Sequence, residues 1–274
     1  MMEPNASLRL DFKRKSDGQT IISRQFFKLP LQIFPPYYPE DDGTAFIYLL
    51  NPSSGMLEGD LFEMRFSLSD NASAVITTPS SNKIYRSNGR NSCQQIYAEI
   101  SKGSCLEFIP EHNVPFKDSR FVQRAEFRVE RGGTLFTWDR VVPGRLARNE
   151  RFDFAEYHSD IAIYYGDRLV IREAASIVPS ELSPENPAIM ADFTIFATAY
   201  LVCEEIPDSL VEELRAFLAK SEDLRGGASK ADENLLVIKV LMKSTLHQNE
   251  FFAELWDIVR KQALGKPAFK IRKY

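Results

Sequence analysis

The stretch Leu61–Thr78, LFEMRFSLSDNASAVITT, decides the fold class. Phe62, Met64, Phe66 and Leu68 fall at every second position, separated by Glu63, Arg65 and Ser67. A strand with one buried face needs that alternation, because successive side chains point to opposite sides. Ser69-Asp70-Asn71-Ala72 then tolerates a turn, and SAVITT opens another β-branched run.

The same pattern extends along the chain. LRLDF, TIISRQFF and AFIYLL precede it; QQIYAEI, CLEFIP, RAEFRVE, GTLFTW, DIAIYY, RLVIREA and FTIFATAYLV follow. Between them SDGQ, SNGRN, SKGS, ERGG and YGDR supply the glycine or asparagine that hairpin turns favour. Many short, closely spaced strands predict a mainly β protein, with the strands in a β-helix-like or stacked-sheet arrangement. After CEEIPD the pattern changes. Asp208 is placed to cap SLVEELRAFLAK, where Leu210, Leu214, Phe217 and Leu218 share one helical face, and GGAS would end that helix. ENLLVIKVLMKSTL reads as a second helix and FFAELWDIVRKQAL as a third, with Phe251, Leu255, Ile258 and Val259 in one stripe. These few C-terminal α-helices are expected to cover the domain's own core. No linker divides the chain, so one domain is expected over residues 1–274, β-rich over about 7–203 and helical over about 208–264.

Composition narrows the function. The 274 residues are 44% hydrophobic and 26% charged, ordinary for a globular chain with a full core. A net charge of -4 argues against nucleic-acid binding. The basic tail KPAFKIRKY reads as a solvated, disordered segment. The opening residues lack the basic-then-apolar pattern of a signal peptide, and no apolar run is long enough to span a membrane. Cys93, Cys105 and Cys203 are odd in number and scattered, as reduced thiols in a cytoplasmic protein would be.

Catalytic signatures are missing. In SSGMLEGDLF, Ser53–Phe62, Glu58 and Asp60 stand where a phosphate loop would need lysine, and no GxGxxG opens a helix. His112, His158 and His247 lie far apart, without zinc spacing, and no GxSxG elbow is present. Asp60, Glu107, Asp139, Glu150 and Glu173 near strand ends leave open a second reading, a β-fold carbohydrate-active enzyme using paired carboxylates. WDRVVPGRLARNERFDF gathers Asp139, Arg140, Arg145, Arg148 and Glu150 around a bend, where arginine–carboxylate pairs can hold a loop rigid.

Four motifs in fixed order, GMLEGD, TTPSSNKIYRS, LEFIPEHNVPF and GRLARNERF, resemble the urease accessory protein D family, also called UreD or UreH. The resemblance covers about Leu8 to Val202 and departs at Asn51-Pro52, where many members carry Gly-Gly. It implies a non-enzymatic, chaperone-like scaffold for nickel insertion into apo-urease, acting with accessory protein F and, through F, with the GTPase accessory protein G. It implies a mostly β stack of strands and polar residues along an internal nickel route. The matching positions are Asp60, Asp139, Glu150 and Glu173 as weak, transient nickel contacts, with Thr78, Lys83 and Arg145 in support. No tightly bound cofactor is implied, only passing Ni²⁺, and neither nucleic acid nor membrane is an expected partner. Carboxylate and carbonyl oxygens hold nickel loosely enough to release it, which suits a conduit.

Overall fold

The computed structural model describes residues 3–272 except Ser54 and Pro187; Lys273 and Tyr274 of the basic tail also lie outside the described residues. The first strands are β1 (Ala6–Arg14), β2 (Thr20–Lys28), β3 (Gln32–Ile33), β4 (Ala45–Leu50), β5 (Leu61–Leu68) and β6 (Ser73–Thr77). They continue with β7 (Asn82–Ile84), β8 (Ser92–Ile100), β9 (Cys105–Phe108), β10 (Asn113–Pro115), β11 (Arg120–Val129) and β12 (Thr134–Val141). Then come β13 (Glu156–Tyr165), β14 (Arg168–Ile177), β15 (Ile195–Val202), α1 (Asp208–Leu218), β16 (Leu224–Asp232), β17 (Leu235–Met242) and α2 (Gln248–Val259).

The chain winds as a coil between two sheets. One sheet runs β14-β13-β11-β8-β5-β1-β2, and the other carries β16-β17-β15-β12-β9-β6-β4-β3. In each coil the chain crosses from the first sheet to the second, β5 to β6, β8 to β9, β11 to β12. Successive coils therefore pair in parallel, as β5 with β8 and β8 with β11. The expected stack of strands is what forms. Phe62, Met64, Phe66 and Leu68 are all buried between the sheets. On the outer face of the first sheet, Arg65 lies over Tyr97 and Arg128 over Tyr164, each 4.3 Å from the ring centre.

The glycine and asparagine corners do adopt positive φ, at Gly18, Asp70, Asn71, Gly89, Gly103, Gly132 and Gly166. Only SDGQ and YGDR, however, close hairpins, β1 to β2 and β13 to β14. SDNA, SKGS and ERGG turn the chain from one sheet to the other, and SNGRN leads from β7 into β8. A coil corner needs the same backbone freedom as a hairpin, so residue type does not separate the two.

Three expectations about the C-terminal part are corrected. ENLLVIKVLMKSTL forms strand β17, not a helix, and GGAS lies inside β16 rather than ending α1. β17 is apolar on both faces. Leu235 and Val237 join the core between the sheets, while Leu236, Ile238, Val240 and Met242 join the second core under the helices. A run buried on both sides carries no alternation to distinguish it from a helix. Asp208 is the first helical residue rather than the cap; Pro207 takes the cap position without a side-chain bond. The helical faces hold: Leu210, Leu214, Phe217 and Leu218, and Leu255, Ile258 and Val259, are buried, with Phe251 packed alongside.

Nor is the tail a free solvated segment. Lys266 is ion-paired to Asp42 at 2.6 Å and Glu40 at 3.3 Å. Phe269 packs edge-on against Phe46 and Trp256. The Tyr48 hydroxyl donates to the Arg272 carbonyl. The tail straps α2 to the first coil.

Phe127 is 2% exposed and faces the inter-sheet core, so Phe127→Ala lowers the unfolding free energy by about 3–5 kcal/mol. Tyr164→Ala removes one outward arginine contact and costs under about 1 kcal/mol. Urea denaturation of the two variants measures the contrast.

Candidate functional site

Inside the coil the buried faces are not uniformly apolar. At one level of the first sheet the inward residues are Phe62, Gln94, Gln123 and Ser159, neighbours across β5, β8, β11 and β13. Polar side chains at inward positions need hydrogen-bond partners, and here they bond to one another across the strands. Gln94 Nε2 donates to Gln123 Oε1 at 3.1 Å, and Gln123 Nε2 to Ser159 Oγ at 3.3 Å. Ser159 Oγ donates to Asp139 Oδ2 at 3.1 Å. Asn113 Nδ2 lies 3.0 Å from the Tyr157 hydroxyl and 3.5 Å from Asp139 Oδ1, and its own oxygen accepts from Asn82 at 2.9 Å. The amide row ends on one carboxylate.

That carboxylate lines a cavity of about 270 Å³ between the sheets. Phe62, Met64, Ile96, Phe108 and Phe127 form its apolar wall; Thr78, Glu111, Asn113 and Asp139 are among its polar groups. Asp139 is accessible only partly, yet protein surrounds it. Burial pushes its carboxyl above the usual range, Ser159 and Gln123 oppose the shift, and the nearby Glu173 adds to it. A second space of about 10 Å³, the size of one water, joins Asp139 and Ser159 to Glu173, Thr198 and Tyr200. Thr198 faces Asp139 across β12 and β15, and its hydroxyl donates to Glu173 Oε1 at 3.3 Å. Tyr200, fully buried, borders both spaces, and its hydroxyl lies beside Glu173 and Thr198 without a well-directed hydrogen bond.

The sequence-expected residues separate into two groups. Asp139 and Glu173 meet at the inner space, and Thr78 lines the cavity with its hydroxyl accepting the Glu111 N–H at 2.8 Å. Asp60 and Glu150 do not line it. Asp60 closes its own turn: Oδ2 accepts the Leu57 N–H at 2.7 Å and Oδ1 accepts from Asn5 at 2.8 Å. Glu150 grips Arg145 with both oxygens, one of them 2.7 Å from Arg145 Nε, and Arg145 stacks on Phe116. Lys83 contributes its backbone, its carbonyl accepting the Met56 N–H at 2.8 Å.

This last bond explains why the first two motifs occur together. A Cβ on Gly55 would sit 2.2 Å from the Lys83 carbonyl oxygen, so only glycine lets the GMLEGD loop lie against the NKI strand. The two motifs form one wall beside the cavity mouth, where Asn51, Pro52 and Gly55 meet Thr78, Pro79, Ser80 and Ser81. Sequence reasoning missed Asn113, Gln123, Ser159 and Thr198. A glutamine or serine at an inward position of an otherwise apolar alternation was the available signal.

The remaining carboxylate weighed earlier, Glu107, is structural. It is 1% exposed, accepts from the Trp256 indole at 2.5 Å and lies 3.1 Å from Arg260 Nε. Burial raises its carboxyl above the ordinary range while Arg260 and Trp256 oppose the shift. Among the described residues, no group of three or more His, Cys, Asp or Glu side chains is arranged to hold a metal ion, and the three cysteines are unpaired. No helix among them is long and apolar enough to cross a membrane.

Fold and site define a parallel β-coil protein whose interior cavity is lined by Asp139, which shares a smaller space with Glu173. The chain belongs to the UreD urease accessory protein family, whose model matches residues 4–273. It is 30% identical to the urease accessory protein UreD of Acetivibrio thermocellus, over 84% of this chain and 88% of that one. It is 28% identical to UreH of Helicobacter pylori, over 91% and 94% of the two chains, and 28% identical to UreD of Escherichia coli, over 94% and 91%.

Arg260→Met strands Glu107 in the interior and lowers stability by about 3–5 kcal/mol. The double variant with Glu107→Leu recovers most of that loss. Chemical denaturation of the single and double variants measures the coupling.

Proposed function

We propose that this chain acts in urease maturation as a non-enzymatic scaffold that passes nickel toward apo-urease. It would work in the cytoplasm with accessory protein F and, through F, with the GTPase accessory protein G. Membership of a family whose relatives are named urease accessory proteins supports the maturation role. The observation that carries the nickel reading is the meeting of Asp139 and Glu173 at the inner end of a cavity with a polar mouth.

The chemistry suits passage rather than storage. Two carboxylates, a threonine and a serine offer oxygen ligands, and nickel held by so few of them exchanges readily. A cage of histidines and cysteines would hold the ion and stop delivery. In this reading Asp139 and Glu173 touch the passing ion, and Thr78 stands at the mouth. Asp60 and Lys83 act indirectly, by fixing the loop beside that mouth, and Arg145 and Glu150 by holding their own bend.

The carbohydrate-enzyme reading loses its carboxylates one by one. Glu107 is committed to Arg260, Glu150 to Arg145 and Asp60 to its own turn. Asp139 lines the cavity of about 270 Å³ but Glu173 does not, and the space the two share, about 10 Å³, is far too small for a sugar ring.

Deleting the gene in a urease-positive host, with nickel supplied, is expected to leave urease inactive and nickel-poor; full activity in the deletion strain would refute the maturation role. More narrowly, Asp139→Ala and Glu173→Ala slow nickel loading of urease while the accessory complex still assembles. Asp60→Ala and Glu150→Ala act less, and through stability. Metal analysis of urease purified at fixed times separates the two classes, and equal loading by all four variants would sink the conduit.

A further inference from the structure

The inner carboxylate pair has a third member that the cavity walls do not include. Lys239 on β17 is the cross-strand neighbour of Thr198 on β15, which in turn neighbours Asp139 on β12. The three therefore stand in one row on the inner face of the second sheet. Glu173 reaches this row from β14, the last strand of the first sheet. Its Oε2 lies 2.8 Å from Lys239 Nζ, while its Oε1 accepts from Thr198. Both oxygens of Glu173 are occupied.

Exposure falls along the row. The Lys239 side chain is 54% exposed and that of Glu173 18%, while Asp139 sits deeper, against the cavity. Lys239 thus stands at the outer end of a short polar path from solvent to the cavity, its ammonium placed where an entering or leaving cation would pass. We propose that Lys239 is a tethered counter-cation that plugs the outer end of the Asp139–Glu173 pair and is displaced when a divalent metal ion binds there. The proposal rests on the conduit reading above.

Four features favour displacement over a permanent pair. A lysine partner is one point charge on a flexible stem, without the two-pronged grip of arginine. A half-exposed ion pair contributes little net stability and exchanges easily with solvent. Opposite Lys239 stands Gly227, and a Cβ built there would meet nothing within 4 Å, so there is open space beside the stem. The buried Tyr200 hydroxyl borders the same space without a well-directed hydrogen bond, which adds one more oxygen beside Asp139 and Glu173. While no metal is bound, the ammonium neutralises one of two neighbouring carboxylates. When a metal arrives, the ion takes over that task and Lys239 swings to solvent.

The test uses the untagged full-length chain and Ni²⁺ alone. Calorimetric titration should give Lys239→Met and Lys239→Gln a nickel affinity roughly two- to fivefold above the parent, because the competing cation is gone. Lys239→Arg, with its bidentate grip, should bind nickel more weakly, and Glu173→Gln should bind it more weakly still. Amine-reactive labelling read by mass spectrometry should modify Lys239 faster once Ni²⁺ is added. If Glu173→Gln weakens binding while the Lys239 variants and the labelling rate do not respond, the plug is wrong and the conduit stands. If Glu173→Gln binds nickel as the parent does, the conduit reading fails and the plug fails with it.

Discussion

In-register parallel pairing of successive coils is the constraint on which the rest of the molecule depends. Because β5, β8, β11 and β13 are aligned residue for residue, each inward position stacks on its equivalent in the next coil. A single polar residue in such a row would be stranded among apolar side chains. The coil avoids this by making the row polar across several strands, so that Gln94, Gln123, Ser159 and Asp139 bond to one another. Register therefore sets the position of the site. A slip of one residue would turn Gln123 outward and Phe121 and Phe127 with it.

The sequence made the strands legible because one face of each is wet. RFVQRAEFRV and EYHSDIAIYY alternate visibly, and their inward residues are the ones buried. It was silent where both faces are dry. LLVIKVLM lies between the inter-sheet core and the helical layer, and its continuous apolar run fits either period. Asp139 and Glu173 were found as carboxylates near strands, but their meeting depends on β14, at the edge of the first sheet, lying over β12 and β15 inside the second. Lys239 was hidden inside the misread segment. The strapped tail was hidden for another reason: its anchors, Glu40 and Asp42, lie more than two hundred positions away in the chain.

Two acids of the interior, Glu107 and Asp139, differ in their surroundings, and those surroundings decide the role of each. Glu107 sits where α2 crosses the second sheet, and its neighbours saturate it. Trp256 donates to it, Arg260 lies against it, and Arg260 in turn bonds Glu40 and the Pro267 carbonyl. Neither Glu107 nor Arg260 lines either of the two spaces described above, and the group acts as a rivet joining helix, sheet and tail. Asp139 has hydrogen-bond donors but no cation in direct contact, and its carboxyl is held above the usual range by burial and by Glu173. A carboxyl in that condition gains most from an added positive charge.

The two basic partners differ in the same sense. Arg260 is fully buried, planar and engaged in several directions at once, so it cannot leave without unpairing several groups together. Lys239 holds Glu173 by one contact, from solvent, beside an empty space. One ion pair fixes the fold and the other can be exchanged, although both join a glutamate to a base at about 3 Å. Distance alone does not tell a structural pair from an exchangeable one; the number of other bonds the base would break on leaving does. By that measure, Lys239 yields to an incoming cation far more readily than Arg260 does.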